Sequence, residues 1–353
     1  MRFRTPSGFR VPTNRDLGRK AVRPALGAGV GLLLVSGLLA ARLIPASSPP
    51  SSAAPLAGAG GHVYVTNQLD NTVSVIDAGT NKVVATVPAG DAPEGIAITP
   101  DGRYAYIADN GSATVSVLDT RTNEIATTVP VGHNPTGVGL SPDGGYLYVA
   151  NGGSDSVSVL DTRTNQVTAT VPVGVSPVRV AISRDGATAY VANSGSHSVS
   201  VLDTRTRRVV RNLTAGRSPV GVAIAPDGES AYVANETAAT VSVVGVRAGA
   251  VTATVPVGEG PFDVALAPDG SRAYAANLGP GTVSVIDTHS HHVSATVAVG
   301  PPGTDPFNLA VTPAAVYLTN QGAGTLAVID PKSLKVAATV TVGTSPYGVA
   351  VSP

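Results

Sequence analysis

From residue 61 onward the apolar positions fall into short runs rich in Val, Ala, Ile and Thr, each closed by Gly, Pro, Asn or Asp. One stretch shows the pattern: Gly95 to Thr99, the turn Pro100-Asp101-Gly102, Tyr104 to Ala108, a polar loop, Val115 to Leu118, the turn Asp119 to Asn123, and Ile125 to Val129. Four strands joined by hairpins follow from such an alternation of apolar runs and turn residues. The runs are apolar on both faces more often than they alternate, so both faces of each sheet must be covered. No segment of helical period after residue 60 is available to cover them. The sheets must therefore cover one another, as blades set around an axis do.

The spacing of the runs fixes how many blades there are. A tetrad that begins with tyrosine starts at Tyr64, Tyr106, Tyr148, Tyr190, Tyr232, Tyr274 and Tyr317 and reads YVTN, YIAD, YVAN, YVAN, YVAN, YAAN and YLTN. Five steps are of 42 residues and one is of 43, a period that belongs to a modular array. The first tetrad lacks the strand that precedes the others, and the missing piece stands at the far end, Tyr347 to Pro353. One blade built from both termini removes an open edge. The expected fold is thus an all-β, seven-bladed β-propeller over 61–353, with four-stranded blades, the first closed by the N- and C-terminal strands. A solenoid, the competing arrangement, needs capping repeats that the chain does not show.

Turn chemistry accounts for most of the repeated polar residues. Asp-Gly recurs at 101, 143, 185, 227 and 269, where glycine supplies a positive φ. Asp119, Asp161, Asp203 and Asp287, each followed by Thr, are placed to start the third turn through side chain to backbone bonds. Neither series has the ligand spacing of a calcium loop. The Asn that ends each tetrad is expected to cap the loop after it or to hold a left-handed backbone, with Asp109 taking that place in blade two.

In units close to GVAxSPDGxxAYVANxxxxTVSVLDTRTNxVxATVPVG, residues 61–353 resemble the YVTN-repeat β-propeller proteins, whose tetrad stands verbatim at Tyr64-Val65-Thr66-Asn67. The resemblance implies the propeller fold and a likeness to exported, surface-layer-like proteins. Wider relatives of that family include single-strand DNA binders, quinoprotein and haem-associated propellers, and lactonase- or lyase-like enzymes.

Composition and charge set the N-terminal sixty residues apart. Eight of the 23 Lys and Arg precede Gly61, against one of the 23 acids, which leaves the repeat region mildly acidic and argues against a phosphate-tracking surface. Residues 1–24 are expected to be a basic cytoplasmic region. The uncharged run from Ala25 to Ala41, extendable to 44, is expected to be a signal peptide or a transmembrane anchor, and 45–60 a Pro/Ser/Ala/Gly linker. Both readings export the repeats, so the expected location is extracytoplasmic, secreted or held at the cell membrane. The absence of cysteine excludes disulfides, thiolate nucleophiles and Cys-ligated metals. No nucleotide-binding glycine motif is present, and no cofactor or metal is expected.

Residues shared by every blade make a symmetric ring, so a specific site is sought where blades differ. Each loop entering an innermost strand carries a proline, and the residues after it are Glu94, Thr136, Val178, Val220, Phe262, Phe307 and Tyr347. Phe262, Phe307 and Tyr347, on consecutive blades, predict an aromatic arc around the channel mouth. One place further on glycine is usual, but Arg179, Asp263 and Asn308 stand in blades four, six and seven. With Glu94, Arg217 and His133 these residues predict an amphipathic recognition mouth for a surface protein, a glycan or a small molecule. A lactonase- or lyase-like enzyme using Asp263, Asn308, Arg179 and His133 is the alternative. Single-strand nucleic acid comes third, since stacking aromatics exist but basic residues are sparse around them. On the opposite rim, His289, His291 and His292 and the arginines Arg121, Arg163, Arg205, Arg207 and Arg208 read as solvated turns.

Overall fold

The structure is a computed structural model that describes residues 61–353; the segments 1–24, 25–44 and 45–60 lie outside the described residues. Among the described residues, 28 strands form seven antiparallel four-stranded sheets, and the one short helical turn is Glu236–Ala238. None of these described elements is a helix long and apolar enough to cross a membrane.

The innermost strands touch one another in cyclic order and close the ring. Blade one is assembled from both ends of this region: Pro346–Val351 pairs antiparallel with His62–Asn67, in the register Val63 to Val351, Tyr64 to Ala350 and Val65 to Val349. The asparagines differ in part from expectation. Asn235 stays extended, at φ −107°, and makes no cap bond to the turn after it; its Nδ2 instead donates across the hairpin to the hydroxyls of Thr240 and Ser242 at 3.2 and 2.9 Å. Asn67 does the same to Thr72 and Ser74.

The third-turn aspartates act as anticipated, with Asp119 Oδ1 accepting the amides of Arg121 and Thr122 at 2.9 and 3.2 Å. Glycines of the Asp-Gly turns, Gly102 among them, take positive φ.

The core is divided into seven parts, each lying between two neighbouring blades. Tyr64, Val73, Val75 and Val87 of blade one pack with Ile96, Ala105, Ile107 and Leu118 of blade two. Tyr317, Leu326 and Val328 of blade seven pack in the same manner on Val63, Val65 and Ile76 of blade one. Burying a Val or Leu side chain is worth about 1.5–3 kcal/mol, so each interface outweighs any single polar contact within it. The tetrad tyrosines belong to this scaffold. Tyr106 reaches across to blade three, where its hydroxyl donates to the Thr162 carbonyl at 3.2 Å and to Asn165 Oδ1 at 3.1 Å. Tyr232 meets His291 in the equivalent place, with ring centroids 6.5 Å apart.

Candidate functional site

Every innermost strand has a register shift just after its leading proline, as between Pro177 and Arg179 or Pro261 and Asp263. Such bulges bend a strand and re-aim side chains. In blades one, two and three the second residue after the proline is Gly348, Gly95 or Gly137, and a Cβ there would collide with the backbone carbonyl of Glu94, Thr136 or Val178 in the next blade. Close approach of the inner strands explains the glycine. Where the sequence departs from it, at Arg179, Asp263 and Asn308, a polar side chain stands near the axis.

Those three side chains meet. Arg179 of blade four spans the channel, its guanidinium 3.0 Å from Asp263 Oδ2 in blade six and donating to Asn308 Oδ1 in blade seven. Asp263 Oδ2 also accepts the amide of Leu309 at 3.0 Å, which fixes blade six to blade seven. The carboxylate is nearly buried and the guanidinium only partly exposed, so the attraction is far less screened than between surface groups.

Beside this tie the three aromatic rings stack on one another. Phe262 and Phe307 lie 3.7 Å apart between centroids at 29°, and Tyr347 meets Phe307 edge-on at 4.6 Å. The expected arc is thus a compact cluster, because three rings from adjacent blades at the narrow radius of the channel come within stacking distance. Phe307 and Tyr347 are buried, at 8% and 7% exposure, and Phe262 alone keeps a partly open face. Aromatic pairs of this kind add about 0.5–1.5 kcal/mol beyond their burial.

Glu94 completes the group from blade two. Its Oε1 accepts from Gln68 Nε2 at 2.8 Å, and the Tyr347 side chain lies beside it. Gln68, the residue after the first tetrad, was not anticipated from the sequence, since the seven blades carry Gln, Asn, Gly, Ser, Glu, Leu and Gln at that position and show no pattern. Burial pushes the Glu94 carboxyl up to about 8, with the bond from Gln68, the neighbouring Tyr347 and the charge of Arg179 pulling the other way. Burial and the neighbouring Glu94 push the Tyr347 hydroxyl well above its ordinary range. Two atoms of the cluster have no hydrogen-bond partner, Glu94 Oε2 and Asn308 Nδ2.

A carboxyl that stays protonated to about pH 8 when folded, but ionises near 4.5 when unfolded, stabilises the fold most at low pH and progressively less as pH rises between those values. Asp109, raised to about 6 by burial, adds a smaller loss in the lower part of the same interval. The turn aspartates, held below the carboxylate range by their hydrogen bonds, act oppositely and only at more acid pH. The melting temperature is therefore expected to fall between about pH 5 and pH 8.5. Glu94→Gln should remove most of the fall and raise stability at pH 8.5 by about 4 kcal/mol. A wild-type melting temperature that is flat over this interval would mean that Glu94 is ionised in the fold.

The remaining anticipated residues lie apart. Arg217 is exposed and offers its backbone carbonyl to Thr237, and His133 is exposed with its amide bonded to Ser154 Oγ. Neither contacts the central cluster. Among the described residues no group of three His, Cys, Asp or Glu side chains is placed to hold a metal; His289 and His291 stand in their turn and His292 opens the strand after it. Two surface depressions also lie elsewhere: one of about 260 Å³ on blade three beside Gly132 and Ser154, and one of about 330 Å³ between blades three and four, lined by Tyr146, Tyr148, Asp143, Asp185 and Arg205.

Seven closed four-stranded blades with a plugged axial mouth define a β-propeller. The chain belongs to the YNCE-like β-propeller family, which matches residues 26–152 and 143–228, more than half of its length. Solved structures similar to it include the hydrazine synthase of Kuenenia stuttgartiensis, at 25% identity and a TM-score of 0.67, over 72% of this chain and 88% of that one. A functionally unknown protein from Desulfotomaculum acetoxidans has a TM-score of 0.72 at 18% identity, over 83% of this chain and 99% of that one. The dihydro-heme d1 dehydrogenase NirN, solved in complex with DHE, has a TM-score of 0.62 at 20% identity, over 84% and 66%. The last two likenesses bear on the fold alone. The PE-PGRS family protein PE_PGRS18 of Mycobacterium tuberculosis is 54% identical over 41 residues, about one repeat, which is 12% of this chain and 9% of that protein.

Proposed function

We propose that this chain is a binding module of the YVTN-repeat kind, exported or tethered at the cell surface through residues 25–44, and that it recognises its partner at the channel mouth. One observation carries the reading. In a ring that otherwise repeats, the three replacements of glycine by Arg179, Asp263 and Asn308 converge with Phe262, Phe307, Tyr347 and Glu94 at a single point on the axis. A scaffold needs no such asymmetry.

The test is a binding screen of the protein against wall glycans, lactones, metal ions, oligonucleotides and a surface-protein library, with Phe262→Ala/Phe307→Ala/Tyr347→Ala alongside. A ligand whose affinity drops at least about tenfold in the variant supports the mouth, since losing one well-packed aromatic contact is worth about 1.4 kcal/mol or more. Ligands that bind both proteins equally sink the reading.

An enzymatic role of the lactonase or lyase type is the second reading, favoured by Glu94, a buried acid protonated near neutrality beside Tyr347. Turnover of a lactone that disappears in Glu94→Gln, with the fold intact, would replace binding by catalysis.

A further inference from the structure

The two faces of the ring differ sharply in charge. Of the fifteen Lys and Arg from residue 61 on, only Arg179 and Arg217 lie at the mouth, and Arg179 is held by Asp263. Nine of the twenty-two acids are there. Glu94, Asp109 and Asp263 are buried, while Asp70, Asp91, Asp155, Glu236, Glu259 and Asp305 stand in loops spread around the rim. The opposite face holds the other thirteen basic residues, mixed with aspartates that cap turns.

We propose that the acidic mouth docks a cationic segment of a partner protein, a short peptide run of Lys or Arg side chains lying across the rim above Glu94 and Phe262. This rests on the reading of the mouth as the binding site and names the chemistry of what binds. The rim acids alone would be a diffuse field. The two unpartnered atoms beneath them give the site its specificity, because Glu94 and Asn308 are 3% and 2% exposed and a buried polar atom without a partner is costly. With Glu94 protonated, its Oε2 and Asn308 Nδ2 are both donors that lack an acceptor. A basic peptide supplies backbone carbonyls to both and sets its ammonium or guanidinium groups against the rim acids. A polyamine supplies donors only, and an oligonucleotide brings acceptors on a backbone that the rim repels. The partly open ring of Phe262 offers a face for the cation.

The experiment is fluorescence anisotropy on the full chain with a labelled twelve-residue Lys/Arg/Gly peptide. Its Glu/Gly counterpart, spermidine and a single-stranded oligonucleotide serve as competitors. The basic peptide is expected to bind at about 50 mM salt and to weaken at least about fivefold at 200 mM, as screened charges do. Asp91→Asn/Glu236→Gln/Glu259→Gln should weaken it about tenfold, whereas Arg205→Gln/Arg208→Gln on the other face should leave it unchanged. Equal binding of the acidic peptide, wild-type affinity in the rim variant, or displacement by the oligonucleotide at the mouth overturns the proposal. Spermidine binding as tightly as the peptide removes the argument for a peptide. If another ligand proves sensitive to the aromatic variant while basic peptides fail, the mouth stands and only its cationic chemistry falls. If no ligand is sensitive, both fall.

Discussion

Removal of residues 347–353 is expected to abolish cooperative folding. The deleted segment is nearly all of the innermost strand of blade one, which supplies the backbone partners of Val63, Tyr64 and Val65 and buries Tyr347 and Val349. Its loss exposes one strand edge in blade one and also strips a wall from the inner strands on either side, Pro93–Ile98 and Pro306–Val311. Exposed edges of apolar strands pair with other chains, so the truncated protein should aggregate or elute as large species and show no sharp thermal transition by circular dichroism. A truncated protein that melts as a monomer at the wild-type temperature would mean that the ring does not depend on this closure.

Arg179→Met is expected to cost about 3 kcal/mol, which in a domain of this size lowers the melting temperature by roughly 5 °C. Asp263 is 6% exposed in its side chain and would keep its charge without a counter-ion, while Asn308 would lose the donor to its Oδ1. Partial exposure of Arg179, 20% in its side chain, is why the lower end of the range for broken buried pairs is taken. Adding Asp263→Asn should recover a good part of the loss, because the amide oxygen can still accept from Leu309 without a stranded charge. The calorimetric melting temperatures of the two single variants and the double variant form the check. A drop of only a degree or two in Arg179→Met would reduce the tie to a surface-like contact.

The ring was legible in the chain because its determinants are local and repeated. The tetrads, the Asp-Gly turns and the displaced C-terminal strand each stand in the sequence at fixed intervals. The identities at the mouth were legible for the same reason, as exceptions to a rule: Arg179, Asp263 and Asn308 where glycine belongs, and Phe262, Phe307 and Tyr347 beside them.

What could not be read was how far each side chain reaches. Arg179 bonding two blades at once depends on the width of the channel, and the packing of Phe307 under Phe262 depends on the bulge after each proline. Arg217 and His133 share the loops of the mouth yet sit at larger radius, a coordinate that spacing along the chain does not encode. The arginines of the opposite rim were legible, but the acids gathered at the mouth were not, because a charge total over the domain averages the two faces. Assigning each acid to the loop that bears it would have separated them.

The tyrosines bear on the order in which the protein can be completed. Each anchors its blade to the following one, as Tyr106 does at Thr162 and Asn165, and Tyr317 of the last blade packs against the first. On a ribosome the chain emerges from its N-terminus, so every blade must wait for its successor before its tyrosine finds a seat. The first blade waits longest, for the distant strand Pro346–Val351 that completes it. Until that strand has emerged, the growing ring carries an unfinished flank on either side, and the closed ring has none.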